Sequence, residues 1–517
     1  MKQYETFELR FSGETLQAAW AGINLTAVFT HGGESKTVKG FYDGEGQYVI
    51  RFLPEEPGDY SWKVSGVIRA EGKEICEPAE GRHGPVRAAD THFEYADGRL
   101  FIPFGTTVYA LASQDDELVE ETLETLKSAP FNKVRMCVFP KHYDYNHNEP
   151  PFFAFEKRAD GGWDTGRPCI AFWHRLEKIL NRIQAMGIQI DLILFHPYDR
   201  WGFASLPQRD NLTYLDYLLR RLSAMPNIWW SLANEYDLCM PVKSLKDWEE
   251  IEAFVAANDP YLHLLSSHNC FCHWDFCREN VTHCSIQTKA LTEIPRWMET
   301  YHKPVVIDEC AYEGNLPHPW GSISGKEMVY RFWRCYASGA FCTHGETFLS
   351  EDDILWWARG GKLKGESPRR IAFLREIMES LPGPLTPWLT EWSRLPLLSA
   401  QSIRARLAAR PAPEGFTLLA LNSLARMNDT ERATHMQADH SWASRCGDDA
   451  FLKFFDLQTC AEFPFELPQD QQYRVELIDV WEMSRKTVME NASGKTPVKL
   501  PAKEGMAVLI TAMQGET

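Results

Sequence analysis

The 517-residue sequence predicts an α/β fold, a (β/α)8 TIM barrel flanked by an N-terminal and a C-terminal β-sandwich. Between about residues 89 and 384, apolar strands alternate with amphipathic helices, which is typical of a parallel sheet. Eight such repeats in about 290 residues fit a closed barrel. On both sides of this region the sequence reads as short strands and turns. We therefore expect three domains, at residues 1–88, 89–384 and 385–517.

Strands and turns account for the N-terminal segment. Phe7–Phe11 and Tyr48–Phe52 read as strands, and the glycine-containing turns His31–Gly33 and Asp43–Gly46 lie between them. Such runs bounded by turn residues indicate β-structure. Because no helical period appears before residue 88, we expect a small β-sandwich there.

Eight apolar segments supply the strands of the predicted barrel. In order they are Phe101–Phe104, Lys133–Phe139, Ile188–Phe195, Trp229–Glu235, Leu264–Asn269, Cys284–Thr288, Pro304–Glu309 and Gly339–Phe348. Helical stripes separate them, such as the one formed by Leu176, Ile179, Leu180 and Ile183. In this fold the active site lies at the C-terminal ends of the strands, so the residues that end these segments are the candidates for function.

The C-terminal segment is predicted to contain strands and no further helices. Prolines at 382, 384 and 387 mark its boundary with the barrel. Thr417–Leu421, Arg474–Trp481 and Met506–Thr511 read as strands of the second β-domain.

Two of the predicted strands end in a glutamate. The apolar run Trp229–Ala233 leads into Asn234 and Glu235, and Pro304–Ile307 leads into Asp308 and Glu309. Each glutamate alone could pair with an arginine and close a strand end. Two carboxylates that face one substrate are the equipment of glycoside hydrolysis, and we expect that role for this pair.

The composition excludes some partners. The formal charge is −17, from 54 basic and 71 acidic residues, which argues against nucleic acid or an anionic membrane. The 18 tryptophans and 29 phenylalanines mildly favour carbohydrate, because sugar sites use flat aromatic faces. The first residues lack the apolar core of a signal peptide, and the 13 cysteines are an odd number. We expect a cytoplasmic protein with reduced thiols.

Five short motifs are distributed along the chain between residues 40 and 347: Gly40–Gly44, Phe131–Met136, Phe195–Phe203, Trp230–Asp237 and Thr343–Thr347. Together with the two strand-end glutamates, they resemble the clan A glycoside hydrolases, a retaining superfamily of (β/α)8 barrels. The sequence is most similar to a group of bacterial glycoside hydrolases close to family 5. That group carries a domain of unknown function on each side of the barrel.

The resemblance implies roles for individual residues. Glu235 matches the acid/base and Glu309 the nucleophile, while Asn234 would bind the sugar 2-hydroxyl. Arg135 matches the arginine that keeps the nucleophile ionised. Many clan members also place a tyrosine from the sixth strand near the nucleophile. Here that strand offers Gln287, so the second contact of the nucleophile stays open.

Further substrate contacts are predicted at the strand ends and loops. The candidates are His196, His268, His344, Glu346, Trp320 and either Trp356 or Trp357. For His344 and Glu346 a hydrogen-bonded rim network is an equal alternative. For His196 the equal alternative is ion pairing, with Asp199 and Arg200, that orders the loop after the third strand. Lone tryptophans more often pack cores than bind sugars.

A cluster of cysteine and histidine residues follows the fifth strand. It comprises His268, Cys270, Cys272, His273, Cys277, His283 and Cys284. Structural zinc needs four converging ligands, and this spacing is not typical of such sites. We expect neither a metal nor a cofactor.

These observations lead to the hypothesis of a retaining exo-β-glycosidase that removes the terminal sugar of an oligosaccharide or glycoside. Exo action is inferred from the absent export signal and from the long segments after strands two and seven, which could wall a pocket. The alternatives are an endo-acting β-glycanase with an open cleft and a non-catalytic carbohydrate-binding scaffold. The sequence leaves the oligomeric state open, a homo-oligomer included.

Overall fold

The computed structural model describes residues 1–388, 398–435 and 441–513. Eight parallel strands form a barrel, which confirms the predicted (β/α)8 fold. In chain order they are Phe104–Thr107, Lys133–Cys137, Gln189–Phe195, Ile228–Ala233, Leu265–Ser266, Cys284–Gln287, Val305–Glu309 and Phe341–His344. Numbered along the chain, they pair in the order 5-4-3-2-1-8-7-6. A parallel bridge between His268 and Ser285 connects the fifth strand to the sixth.

The first barrel strand lies three residues later than predicted. We expected Phe101–Phe104, whereas the barrel strand is Phe104–Thr107 and Leu100–Phe101 pairs with His92–Tyr95. Pro103 separates the two, because proline has no N–H to give to a sheet ladder.

Helices alternate with these strands along the chain, as predicted for a (β/α)8 barrel. They are Asp116–Ser128, Ile170–Ala185, Gln208–Leu222, Leu245–Asn258, Ile294–Tyr301, Gly325–Tyr336, Trp356–Arg359 and Ser367–Glu379. Short 3-10 helices occur at Leu111–Ser113, Tyr236–Cys239 and Leu291–Glu293. Two small paired segments extend the loops, Phe155–Lys157 with Trp163–Pro168 and Glu313–Gly314 with Glu346–Thr347.

The region before the barrel consists of antiparallel sheets. Its strands are Phe7–Ser12, Leu25–His31, Glu34–Lys39, Phe41–Tyr42, Gln47–Phe52, Gly58–Gly66, Ala70–Cys76, Val86–Ala89, His92–Tyr95 and Leu100–Phe101. They form one four-stranded and two three-stranded sheets. Side chains such as Leu25, Phe29 and Ile50 build a core shared by the four-stranded sheet and the sheet that contains Phe7–Ser12.

The chain falls into two compact units. The first comprises Met1–Lys289, Tyr301–Met328 and Phe341–Arg375, and it contains the N-terminal sheets and all eight barrel strands. The second comprises Ala290–Thr300, Val329–Ala340 and Glu376–Thr517.

The last part of the second unit is rich in antiparallel sheet. A six-stranded sheet has the order Thr386–Pro387, Ala443–Cys446, Ala450–Phe454, Met506–Ala512, Tyr473–Asp479 and Ser484–Ala492. Glu462–Glu466 pairs with Lys495–Lys499 in a second, two-stranded sheet. The predicted strands at Arg474–Trp481 and Met506–Thr511 lie within this sheet-rich part.

The prediction that helices end at residue 384 is wrong. Ala400–Leu407, Gly415–Leu424 and Asp429–His435 are helical, and the second of them contains the predicted strand Thr417–Leu421. This helix buries Leu421 and Leu424, a spacing of three residues that places both side chains on one face. A five-residue apolar run does not distinguish a strand from part of a longer helix.

Along the described parts of the chain, none of the helices is long and apolar enough to cross a membrane.

Candidate active site

The two strand-end glutamates meet at one end of the barrel. Glu309 is the last residue of the seventh strand, and Glu235 follows the fourth strand by two positions. Glu235 has left-handed backbone angles, φ 53° and ψ 57°. Such a conformation costs roughly 1–3 kcal/mol in a non-glycine residue and clusters at functional sites. The sharp turn directs the Glu235 side chain into the cavity that Glu309 also lines.

Gln287, from the sixth strand, lies between the two carboxylates. In the amide orientation that satisfies both neighbours, its nitrogen donates to Glu309 Oε2 at 3.0 Å and to Glu235 Oε1 at 3.2 Å. Because both oxygens bind the same nitrogen, they are at most about 6.2 Å apart, which is the sum of the two distances. The second contact of Glu309 that the sequence left open is thus supplied by Gln287.

Two tyrosines complete the hydrogen bonds of the pair. The Tyr109 hydroxyl donates to Glu309 Oε1, and the Tyr198 hydroxyl donates to Glu235 Oε2 at 2.5 Å. Asn234 Nδ2 also donates to Glu235 Oε2, at 3.2 Å. Burial and the nearby carboxylate charges raise the pKa of both tyrosines, so each hydroxyl stays protonated and acts as a donor.

The site holds a proton near neutral pH. Burial, together with the charge of Glu235, raises the pKa of the Glu309 carboxyl to about 7. The hydrogen bond from Tyr109 and the charges of Arg135 and Lys141 act in the opposite direction. Two interacting carboxylates this close share one proton instead of ionising together.

Lys141 is a functional candidate that sequence reasoning missed. It follows the second strand and lines the same cavity, with its ammonium 3.6 Å from the ring centre of Tyr109 and 4.4 Å from that of Tyr198. Aromatic faces attract a cation in this position. Burial lowers the pKa of Lys141, while the charges of Glu235 and Glu309 oppose this change. A lysine two residues after a predicted strand carried no signal that could place it here.

Arg135 makes no hydrogen bond to Glu309 in the described structure. It is fully buried, with its Nε 3.2 Å from Asp191 Oδ2 and 3.9 Å from Asp308 Oδ1. Its guanidinium nitrogens have no hydrogen-bond partner in the described structure. Arg135 therefore acts on Glu309 through its charge, which lowers the pKa of that carboxyl.

Several predicted substrate contacts lie behind the cavity wall. His196, His268, His344, Glu346 and Trp356 are buried and do not line the cavity. Burial lowers the pKa of His196 and of His268, so both imidazoles are neutral. Glu235 N donates to His268 Nδ1 at 3.4 Å, so this side chain supports the backbone at Glu235. Of the two tryptophans considered, Trp357 is the one that lines the cavity.

The cavity has a volume of about 610 Å³ and a largely aromatic wall. Tyr143 and Tyr145 come from the segment after the second strand, and Tyr312 and Trp320 from the segment after the seventh. Trp357 joins the two groups, with ring centres 4.9 Å from Tyr143 and 5.0 Å from Trp320. The predicted contact residues Asn234, Gln287 and Trp320 all line this cavity.

The cysteine and histidine cluster after the fifth strand does not converge. Among the described residues, the one group of three or more metal-ligating side chains close together is Glu313, His344 and Glu346.

Comparison with known proteins agrees with this architecture. A family model described as apiosidase-like, catalytic domain, matches residues 88–382. Models of two domains of unknown function, DUF5060 and DUF5605, match residues 1–66 and 439–511. A search of the curated proteins found no match.

Solved structures extend the likeness to the whole chain. The crystal structure of "a putative glycoside hydrolase" from Bacteroides vulgatus is 32% identical, with 99% of each chain covered and a TM-score of 0.84. A glycoside hydrolase family 5 structure from the same species is 14% identical, with a TM-score of 0.58 over 84% of this chain and 96% of that one. At that identity the second structure shows the fold alone.

The barrel, its pair of carboxylates and these matches place the chain among the glycoside hydrolases with a family 5-like fold, as the sequence resemblance implied. The family model covers more than half of the residues. The chain belongs to the apiosidase-like family.

Proposed function

We propose that this protein is a retaining exo-β-glycosidase, with Glu309 as nucleophile and Glu235 as acid/base. One observation carries the proposal: a single amide nitrogen, that of Gln287, reaches both carboxylates. Retaining glycosidases hold their carboxyl groups about 5–5.5 Å apart and inverting enzymes about 6.5–9.5 Å. The limit of about 6.2 Å on these two oxygens supports the retaining class.

The surroundings of the pair support the assignment of roles. The Tyr109 hydrogen bond and the charges of Arg135 and Lys141 favour a negative Glu309, as a nucleophile requires. We therefore assign the role of nucleophile to Glu309 and that of acid/base to Glu235. Glu235 would protonate the leaving oxygen while Glu309 attacks the anomeric carbon, and Glu235 would then activate the water that hydrolyses the glycosyl-enzyme.

Exo action is supported by the wall of the cavity. The long segments after strands two and seven both contribute aromatic side chains, and Trp357 contacts aromatic rings from each segment. An endo-acting enzyme needs a cleft open at both ends to accept a chain in mid-length. We infer that a terminal sugar enters, with aromatic faces available to its apolar side.

The test is hydrolysis of 4-nitrophenyl glycosides, α and β, pyranose and furanose, with an apioside included because of the family description. Wild type is compared with Glu309→Gln, Glu235→Gln and Asp144→Asn, the last a matched control because Asp144 lines the cavity without a role in the proposal. We expect wild type and Asp144→Asn to cleave one β-glycoside. Glu235→Gln should lose roughly 10²–10⁴ in rate, and Glu309→Gln at least as much.

The stereochemistry and the site of cleavage decide the finer points. The sugar released first should be the β-anomer when it is followed by NMR. An α-anomer would overturn retention, and full activity in Glu309→Gln would overturn the role of Glu309. Release of internal fragments from a polysaccharide would show endo action. Binding without hydrolysis in wild type and Glu309→Gln alike would indicate a carbohydrate-binding scaffold.

A further inference from the structure

Three buried side chains converge behind the cavity wall, outside the site described above. Glu313 follows the seventh strand, and His344 and Glu346 lie at the end of the eighth, where the segment at Glu313 pairs in parallel with that at Glu346. One ligand atom from each side chain lies within 4.8 Å of the other two. An imidazole and two carboxylates are ligands that divalent metal ions use in proteins.

Two atoms of this cluster are buried without a partner. His344 Nε2 and Glu346 Oε1 have no hydrogen bond within the described structure, and they face each other at 3.6 Å. Both side chains are at most 1% exposed. An unpartnered buried polar atom is costly, so its persistence needs an explanation. A hydrogen bond between the two side chains does not explain these atoms, because their separation of 3.6 Å is beyond hydrogen-bond distance.

Hydrogen bonds hold the carboxylates of this cluster in place. The backbone N–H of Glu366 donates to Glu313 Oε1 at 2.7 Å, and the N–H and hydroxyl of Ser367 donate to Oε2 at 3.1 and 2.5 Å. Lys364 N donates to Glu346 Oε2 at 2.7 Å. Contacts of this kind orient the ligands in metal sites. They leave Glu346 Oε1 without a donor and Glu313 Oε1 with a single one, so a lone pair of each can face an ion.

The remaining nitrogen of His344 is also occupied. His344 Nδ1 lies 3.2 Å from Thr106 Oγ1, an oxygen that also accepts from Trp356 Nε1 at 2.8 Å. Metal-binding histidines commonly hydrogen-bond through the ring nitrogen that is not a ligand. This contact keeps Nε2 directed toward Glu346.

A glycine brings the backbone close to the cluster. A Cβ atom on Gly365 would lie 2.4 Å from Glu313 Oε2 and 2.7 Å from Glu346 Oε1. Any side chain at this position would therefore collide with both carboxylates. The close approach encloses the cluster and excludes bulk water.

We propose that Glu313, His344 and Glu346 bind one divalent transition-metal ion, Zn²⁺ or Mn²⁺. Two ligands of a tetrahedral ion at about 2.1 Å are roughly 3.4 Å apart, close to the separation of His344 Nε2 and Glu346 Oε1. Ca²⁺ and Mg²⁺ prefer oxygen ligands alone, so the imidazole disfavours them. This site revises the sequence expectation of a protein without metal.

The ion would stabilise the wall of the active-site cavity. Gly345, between the two ligands of the eighth strand, lies against Tyr312, where a Cβ would come within 2.4 Å of the ring. Tyr312 in turn lines the cavity next to Glu309. The proposed role is structural, since no ligand is a reacting group.

The test measures metal content and thermal stability of the full-length protein. After dialysis against a chelator and then against Zn²⁺ or Mn²⁺, wild type should contain about one ion per chain by elemental analysis. Saturating ion should raise Tm by roughly 5 °C above the chelated protein. Glu346→Gln and His344→Gln should lose the bound ion and the ion-dependent rise.

A matched control separates metal binding from general damage. Glu252 is a buried carboxylate in the same unit that is fully partnered, by Trp274 and Arg278 among others. Glu252→Gln should lower Tm but keep one ion per chain. Wild type that takes up neither Zn²⁺ nor Mn²⁺ would overturn the proposal without any variant, as would equal metal content in wild type and Glu346→Gln.

Discussion

Tyr109 and Gln287 both stabilise the charged form of Glu309. Each donates a hydrogen bond to a different oxygen of that carboxylate. Burial and the charge of Glu235 work against ionisation and raise the pKa of Glu309 to about 7. A small change in the donors should therefore move the pH range in which the proposed enzyme works.

Tyr109→Phe removes one of these donors and should shift the pH dependence upward. The active form holds one proton on the pair, so activity falls as pH rises through the pKa near 7. Without the hydroxyl that stabilises the charged form, that pKa rises by about one unit, since a hydrogen bond to a charged group contributes roughly 1.5–3 kcal/mol. The measurement is kcat/KM from pH 4 to 10.

Tyr143→Phe is the matched control for this change. Tyr143 lines the same cavity, but its hydroxyl makes no hydrogen bond in the described structure. Its pH profile should coincide with that of wild type. A Tyr109→Phe profile that also coincides would show that this hydroxyl does not control the carboxylate pair.

The positions of individual residues could be predicted from the sequence where the order of the barrel strands alone fixes them. Glu235 and Glu309 were expected at one end of the barrel because parallel strands bring their C-terminal ends to one face, and both line the same cavity. Lys141 and Tyr109 were missed because they follow strands two and one in irregular segments, whose path depends on tertiary packing. Arg135 was located on its strand, but its contact with Asp191 could not be read from spacing.

At the scale of elements, Asp237 holds the loop after the fifth strand against the end of the fourth. Its carboxylate accepts from the backbone N–H groups of Cys270, Phe271 and Cys272 at 2.7, 2.6 and 2.8 Å. Cys270 lines the active-site cavity, so this fastening positions one edge of it. The spacing of the neighbouring histidines and cysteines is not typical of a zinc site, and the contacts show a carboxylate that orders the loop.

Asp237→Ala should release this loop while the barrel stays folded. Three N–H groups lose a charged acceptor, and we expect the free energy of unfolding to fall by about 2–3 kcal/mol. Phe271 is exposed, so chymotrypsin should cut after it faster than in wild type. Asp275→Ala is the control, because Asp275 accepts a single N–H, from Cys277 at 3.0 Å. Equal cutting rates in both variants would argue against the role of Asp237.

Element boundaries were least predictable where local patterns are ambiguous. The first barrel strand begins after Pro103, later than predicted, and the apolar run Thr417–Leu421 is helical. Both cases concern segments of a few residues, for which the periods of strand and helix overlap. The longer helical stripes were identified correctly because several turns must agree. The three domain boundaries and the cytoplasmic location stay predictions.

At the scale of the whole molecule, a buried ionic network links the N-terminal sheets to the barrel helices within the first unit. Glu177 pairs with Arg51 at 2.8 Å and with Arg221 at 2.6 Å, and Arg221 also reaches Asp43 at 2.7 Å. Burial alone would raise the pKa of Glu177, but the charges of Arg221 and Arg51 outweigh it and lower the pKa to about 2. These partners are distant in sequence, so no local pattern revealed them.

Glu177→Gln should weaken the fold and change its acid sensitivity. The carboxyl has a pKa of about 4.5 when unfolded and about 2 when folded, so its contribution is complete above pH 4.5 and is lost as pH falls toward 2. Urea unfolding at pH 7 should show a loss of about 3–5 kcal/mol. The variant should also lose less stability than wild type between pH 5 and 3.

Glu124→Gln provides the comparison for this prediction. Glu124 is 72% exposed, and among the described residues its one ion pair is with Lys127 on its own helix, so its removal should cost less than about 1 kcal/mol. A Glu177→Gln variant as stable as Glu124→Gln would mean that the buried network adds little.

The same network bears on attempts to shorten the protein. A catalytic fragment that begins at residue 88, where the family match begins, would lack Asp43 and Arg51. It would also lose the bond from Tyr217 to the Tyr42 carbonyl at 2.9 Å. Glu177 and Arg221 would then be exposed to water, together with the apolar surface that the N-terminal sheets cover in the full chain. The minimal working unit for expression, crystallisation or directed evolution thus begins at the first strand.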